Sequence, residues 1–234
     1  KYKDKVIIFD KAKVAKTFDE ADNFQDRRSI VYARNACFQI AKDLGITYFM
    51  QLDDDYTSFQ YKLILKNNPI YNKVKNLDRI FAFMLGYYKN INAKSIAFAQ
   101  GGDFIGGIDN GKTTYRMNKR KCMNSFICSI NRPFQFKGRI NEDVNMYTSL
   151  GSQGILFLTI PYIALIQKQT QSNSGGMTSI YQSSGTYVKS FYSVLFQPSS
   201  VFVALMQSAH KRLHHKIKWN NTVPKILREE YKLK

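Results

Sequence analysis

From Lys5 to Gln100 the chain alternates short apolar runs with segments of helical period, and one of those runs ends in three consecutive aspartates. Lys5–Phe9 (KVIIF) reads as a first buried strand closed by Asp10. Across Ser29–Leu44, Ile30, Ala33, Cys37, Ile40 and Leu44 recur at spacings of three and four, with Gly45 at the stop. Thr47–Leu52 (TYFMQL) reads as a second buried strand and runs straight into Asp53, Asp54 and Asp55. Asn76–Asn90 is helical by period, and Ser95–Gln100 is a further strand ended by Gly101 and Gly102. Alternating strand and helix with short connections predicts an α/β fold with a mostly parallel, doubly wound sheet flanked by helices. Ligands in such sheets sit beyond the carboxyl ends of the strands, which is where the aspartates fall.

The second half is less regular. Thr113–Asn118 and Asn124–Asn131 read as a hairpin with Lys119, Arg120 and Lys121 at its tip, a smaller antiparallel region. Asn141, Glu142 and Asp143 open a helix to Leu150, and Gly154–Leu158 reads as a strand. Gln171–Gly185, rich in Ser, Gly and Gln, predicts a mobile loop. Phe202, Leu205, Met206, Ala209 and Leu213 predict a final amphipathic helix ending near His214 and His215. Trp219, with Asn220, Asn221 and Pro224 after it, suggests a docked tail.

Charge narrows the function. Lys and Arg number 35 against 17 Asp and Glu, a net charge of +18, which points to a polyanionic partner. Three cysteines with no CxxC pair do not make a disulfide framework or a zinc site, and fit a reducing cytoplasm. The apolar runs Gly154–Gln167 and Phe191–Ala209 contain Pro161 and Pro198, and each falls short of the roughly 20 clean apolar residues of a membrane span.

Four groups could carry chemistry. Asp53 and Asp55, one residue apart at a strand end, can point the same way and share a hard divalent cation, Mn²⁺ or Mg²⁺. A loop of solvated acids or a helix cap is the alternative. Glu142 and Asp143 could supply a general base beside that metal, or merely complement a helix dipole. From Lys112 to Arg139 lie Lys112, Arg116, Lys119, Arg120, Lys121, Arg132, Lys137 and Arg139 with no acid between them. Tyr115, Phe126, Phe134 and Phe136 are interleaved, as suits a nucleic-acid backbone, although most charge runs are solvated faces. His210, His214 and His215 are the only histidines, and one of them could complete a metal site.

Ala33-Arg34-Asn35, then Ala41-Lys42 and Tyr48–Asp55, resemble the nucleotide-sugar half of GT-A glycosyltransferases, where an ARN helix precedes a strand closing in a DxD motif. Asn141-Glu142-Asp143 matches their acidic motif, whose Asp serves as the base of an inverting transfer. Within that superfamily the chain is most similar to the TET/JBP-associated glycosyltransferases of phages and kinetoplastids, which add sugars to hydroxymethylpyrimidines in DNA. The resemblance runs from about Val6 to Leu158, extending toward His215.

It implies one GT-A-like, Rossmann-like domain over 1–234. Residues 1–110 would be the nucleotide-sugar half, 111–170 the acceptor and catalytic half, and 171–234 the mobile loop and C-terminal helix. It implies UDP-glucose as donor, contacted by Arg34, Asn35, Asp53 and Asp54. Asp53, Asp55 and His215, or His214 in its place, would hold the metal. Asp143 would be the base, assisted by Glu142. Lys119, Arg120, Lys121, Arg132 and Arg139 would meet DNA carrying hydroxymethylcytosine or hydroxymethyluracil. A monomer in the cytoplasm, the host's if phage-encoded, is expected. Competing readings are a glycosyltransferase for polysaccharide, lipid-linked or protein acceptors, a two-metal nuclease or nucleotidyltransferase, and a non-catalytic nucleic-acid-binding module.

Overall fold

The computed structural model describes residues 3–21, 27–65, 68–104, 117–168, 177, 187–206, 211–224 and 229. Its helices are α1 (Lys11–Ala15), α2 (Val31–Asp43), α3 (Leu77–Lys89), α4 (Glu142–Ser152), α5 (Tyr187–Phe196) and α6 (Trp219–Thr222). Its strands are β1 (Tyr48–Leu52), β2 (Tyr56–Tyr61), β3 (Leu63–Leu65), β4 (Asn68–Ile70), β5 (Ser95–Gln100), β6 (Ser125–Ser129), β7 (Phe157–Gln167), β8 (Val201–Met206) and β9 (Arg212–Ile217).

Among the described residues, five strands make the central sheet in the order β1-β6-β5-β7-β2. The fold is α/β, but the sheet is mixed, which corrects the expectation of a mostly parallel one. Only β5 and β7 pair parallel, while β6 runs antiparallel to both of its neighbours, β1 and β5, and β2 antiparallel to β7. β1, β5 and β7 nevertheless point the same way, because β6 inserts between β1 and β5. Their carboxyl ends therefore share one edge of the molecule, which is what the aspartates require.

Alternation along the central strands assigns the layers. Ala97, Phe126 and Cys128 face a core built with Val31, Tyr32, Val144 and Tyr147 of α2 and α4. Ile96, Phe98 and Ile127 face the opposite core, built with Ile80, Met84 and Tyr88 of α3. Two of the helices read from the sequence, α2 and α3, keep their expected bounds to within two residues. Gly45 takes φ +67 after α2, the left-handed C-terminal position that glycine occupies without a Cβ penalty. Asn76 caps α3 by accepting from Arg79 N at 2.9 Å.

Four further expectations give way. Val6, Ile7 and Ile8 are exposed, Ile8 by 91%, and Lys5–Phe9 joins no strand among the described residues. Asp10 instead caps α1 by accepting from Ala12 N, so the run leads into a helix and Phe9 alone packs on the core. Thr47–Leu52 is an edge strand with only Gln51 fully buried, not a buried one. The strand expected at Gly154–Leu158 begins at Phe157 and continues through Pro161 to Gln167. Asn124–Asn131 contributes β6, which pairs with β1 and β5 rather than with a hairpin neighbour. Met117, the last apolar residue of the other expected arm, accepts from Thr159 N of β7. Residues 113–116 of that arm, and the loop 171–185 apart from Met177, lie outside the described residues.

The C-terminal helix is also replaced, by an antiparallel β8–β9 hairpin. The run VFVALM is continuously apolar with β-branched Val201 and Val203, and Val201, Val203 and Leu205 pair in register with Ile217, His215 and Leu213. After it, α6 does dock as a tail. Trp219 stacks on Tyr147 with ring centroids 5.8 Å apart, and Thr222 Oγ1 donates to Thr148 O at 2.7 Å. That docking depends on Gly151, where an added Cβ would stand 2.1 Å from Thr222 O. Gly151→Ala is expected to lower stability by roughly 1–3 kcal/mol. It should also shift the fluorescence of Trp219, the single tryptophan, and an unchanged spectrum and midpoint would show that the contact gives way freely.

Candidate active site

At the carboxyl ends of β1 and β7 lies a cavity of about 280 Å³. Arg34, Asp53, Asp55, Lys121, Asn141, Glu142, Asp143, Lys189, His214 and His215 are among its lining residues. They arrive from α2, the loop after β1, the start of α4, α5, β9 and the segment before β6, and Arg34 ties several together.

Arg34 sits on the buried face of α2 at 3% exposure. Its Nε donates to Glu142 Oε1 and its Nη2 to Asp53 Oδ1, each at 2.9 Å. Its guanidinium lies 5.0 Å from the centroid of the Phe126 ring and 5.6 Å from that of Phe136. Gln51 of β1 donates to Arg34 O at 3.0 Å, which locks strand to helix. One buried cation thus holds the aspartate loop and the start of α4 in a fixed relation. Its negative partners hold Arg34 firmly charged against the burial that disfavours the charge.

The carboxylates differ in environment. Burial pushes Asp53 up to about 6, with Arg34 pulling it back and Asp55 pushing it further up. Burial pushes Glu142 up as well, again opposed by Arg34, and its side chain is committed to that guanidinium. Asp143 lines the cavity with Oδ1 accepting from its own neighbour Val144 N at 2.8 Å. Asn141, left-handed at φ +52, turns the chain into α4 and donates to Lys189 O at 2.6 Å, tying α4 to α5. Asp55 Oδ1 is buried with no hydrogen-bond partner.

The basic side is supplied by Lys121, Lys189 and β9. Burial lowers both lysines from their ordinary range, opposed in each case first by Asp143. His215 is 4% exposed, and neither ring nitrogen has a hydrogen-bond partner. Burial, then Lys121, hold it down at about 2, and His214 is held at about 4 by the same two causes. Both imidazoles are therefore neutral at neutral pH, the form that can ligate a metal.

Asp53, Asp55, Glu142, Asp143, Arg34 and His215 thus come together as the sequence reading required. Asp54 is exposed between its two neighbours and does not line the cavity. Asn35 gives both ends of its amide to the Phe136 backbone, at 3.0 and 2.9 Å, and does not line it either. His210 lies outside the described residues.

The basic stretch is not a continuous outward face. Arg120 is buried and pairs with Asp103 at 3.2 Å. Lys121 turns into the cavity. Arg132 donates to the carbonyls of Tyr88, Ile91 and Ala93. Arg139 is buried at 3% exposure. Lys119 donates to Asn220 Oδ1 at 2.9 Å. Lys112 and Arg116 lie outside the described residues. Lys189 carries no signal of its own in the sequence, where a single lysine in an apolar segment reads as an ordinary surface cation.

Asp53, Asp55 and His215 suit a hard divalent cation in kind, and the orphaned Asp55 Oδ1 and His215 nitrogens are the buried polar atoms such an ion would satisfy. Among the described residues no three His, Cys, Asp or Glu side chains form a ligand cluster unaided. A cation here would draw its remaining ligands from a bound diphosphate, as Mg²⁺ commonly does.

A carboxylate-lined cavity at the strand ends of an α/β sheet, holding titratable groups pushed from their ordinary values, is where an enzyme of this architecture works. The family description TET-Associated Glycosyltransferase matches residues 2–176, well over half the chain, and the chain belongs to that family. It is a glycosyltransferase, which sets aside the nuclease and the non-catalytic readings. No curated protein and no solved structure matches it significantly. No helix of the described residues is long and apolar enough to cross a membrane.

Proposed function

We propose that this glycosyltransferase moves a glucosyl group from UDP-glucose to the hydroxyl of a 5-hydroxymethylpyrimidine in DNA, with inversion and with a divalent cation. The observation that carries the reading is the placing of Asp143 in one cavity with Asp53, Asp55 and the orphaned nitrogens of His215. Asp53, Asp55 and His215 would hold Mn²⁺ or Mg²⁺ together with the donor diphosphate, and the ion would neutralise charge developing on the leaving group. Asp143 accepts the proton of the acceptor hydroxyl as that oxygen attacks the anomeric carbon. Glu142 does not compete for this role, because its carboxylate holds Arg34 and through it Asp53. The acceptor reading rests on the net charge of +18 and on the family.

The test is UDP release from UDP-glucose and Mn²⁺ with 5-hydroxymethylcytosine or 5-hydroxymethyluracil DNA, against unmodified DNA of the same sequence. Release should rise only with the hydroxymethylated duplexes, and the added hexose should appear on the modified nucleoside by mass. Equal release with both DNAs would contradict the acceptor.

Proton competition gives an independent check. His215 stays neutral down to about 2, so protonation of Asp53 at about 6 sets metal affinity from the acid side. Mn²⁺ affinity should fall by up to about tenfold per pH unit below that point. Asp53→Asn should flatten the profile. Affinity constant from pH 5 to 8 in the wild type would remove Asp53 from the metal site.

A further inference from the structure

From Val144 to Arg228 the chain carries eight Lys and Arg and not one Asp or Glu. The cations near the N-terminus, by contrast, are interleaved with Asp4, Asp10, Asp19 and Glu20. Half of the eight, Lys211, Arg212, Lys216 and Lys218, fall on or beside β9. Strand alternation sorts them. Leu213, His215 and Ile217 share the face toward the core, with His215 and Ile217 buried. Arg212, His214, Lys216 and Lys218 share the other, where Arg212, Lys216 and Lys218 are exposed. Lys218 extends the ladder by one step, donating its N–H to Ser200 O at 2.7 Å. Across the hairpin Phe202 lies opposite Lys216, with Lys218 Nζ 5.4 Å from its ring centroid.

We infer that this face of the β8–β9 hairpin is where the backbone of the acceptor DNA docks and is led to Asp143. The face is continuous with the site, since His214 both belongs to it and lines the cavity. Its shape also suits the acceptor. A two-stranded β-ribbon is one of the elements the DNA major groove admits, and the C5 substituent of a pyrimidine is displayed in that groove. Arg212, Lys216 and Lys218, with no acid between them, can neutralise phosphates, and Phe202 offers a ring to a base or sugar. The inference rests on the DNA-acceptor reading and adds a contact surface beside the Lys119–Arg139 stretch, in which Arg120 and Arg139 are buried.

The test is Lys216→Glu with Lys218→Glu in the full chain, beside the milder Lys216→Gln with Lys218→Gln. A control pair, Lys13→Glu with Lys16→Glu, makes the same change of net charge on exposed positions in and after α1. The readouts are the Michaelis constant for hydroxymethylated DNA, the salt dependence of DNA binding, and transfer to the free 5-hydroxymethyl nucleoside. Losing two phosphate contacts should flatten the slope of log affinity against log salt by about 1.8 on duplex DNA and raise the Michaelis constant roughly tenfold. The Gln pair should move both in the same direction, and transfer to the nucleoside should hold.

Wild-type DNA kinetics in the Glu pair would overturn the inference while leaving the acceptor reading standing, and so would an equal effect from the control pair. Retained DNA kinetics with lost binding to phosphatidylserine vesicles would overturn it in favour of a membrane surface. A wild-type enzyme that glucosylates the nucleoside but no DNA would sink the acceptor reading and this surface with it.

Discussion

Asp143→Asn is expected to lower sugar transfer by roughly two to four decades while donor affinity stays within a few-fold of wild type. General-base assistance is worth about that much, and the amide cannot take the proton. The fold should tolerate the change. The Asn side chain keeps an oxygen to accept from Val144 N, as Asp143 Oδ1 does at 2.8 Å. The base acts on the acceptor hydroxyl rather than on the diphosphate, so the loss should appear in kcat with little change in the Kd for UDP-glucose. Asp143 also opposes the effect of burial on Lys121 and Lys189, so Asp143→Asn should lower both lysine pKa values further, a second signature. A collapse of donor affinity instead would make Asp143 a donor or metal residue and Glu142 the better base.

Asp53→Ala and Asp55→Ala should each remove transfer by on the order of three decades or more, the loss of several kcal/mol of charge stabilisation at the leaving diphosphate. The two differ in what they leave behind. Removing Asp53 takes one carboxylate partner from Arg34 and leaves Glu142 bonded to its Nε. Removing Asp55 deletes a buried oxygen that has no partner in the protein, so its effect on stability should be small or favourable while its effect on Mn²⁺ binding is large. Isothermal titration with Mn²⁺ in the presence of UDP, beside a thermal melt, separates the two contributions. Full activity of the wild type in EDTA would contradict the metal role for both.

What the sequence displayed and what it hid follow a physical division. The α2 and α3 periods and the run from β1 into Asp53 are local patterns, and they are read off neighbouring residues. Strand direction is not local. Nothing within Ser125–Ser129 says that it enters antiparallel between β1 and β5, and the strand–helix alternation alone predicts a parallel sheet. The 3.6-residue spacing of Phe202, Leu205, Met206, Ala209 and Leu213 overlaps the two-residue alternation of β8 and β9, and cross-strand packing decided between them. His215 was picked out on the wrong element, and it is the strand alternation that turns it inward. The basic stretch misled because its partners are distant. Asp103 for Arg120, and three carbonyls near the end of α3 for Arg132, cannot be paired with them from spacing alone. Lys5–Phe9 shows the reverse, an apolar run with every local mark of a strand and no partner among the described strands.

The central claim is a single displacement in the cavity that Asp143 shares with Asp53, Asp55 and His215. The anomeric configuration of the product tests it most directly. Glucose is α-linked in UDP-glucose, so one attack assisted by Asp143 gives a β-glucoside on the hydroxymethyl oxygen. The proton coupling at the anomeric carbon of the glucosylated nucleoside, measured by NMR, distinguishes the two forms. A β-linkage is the predicted result, and an α-linkage would require a different displacement and contradict the role given to Asp143.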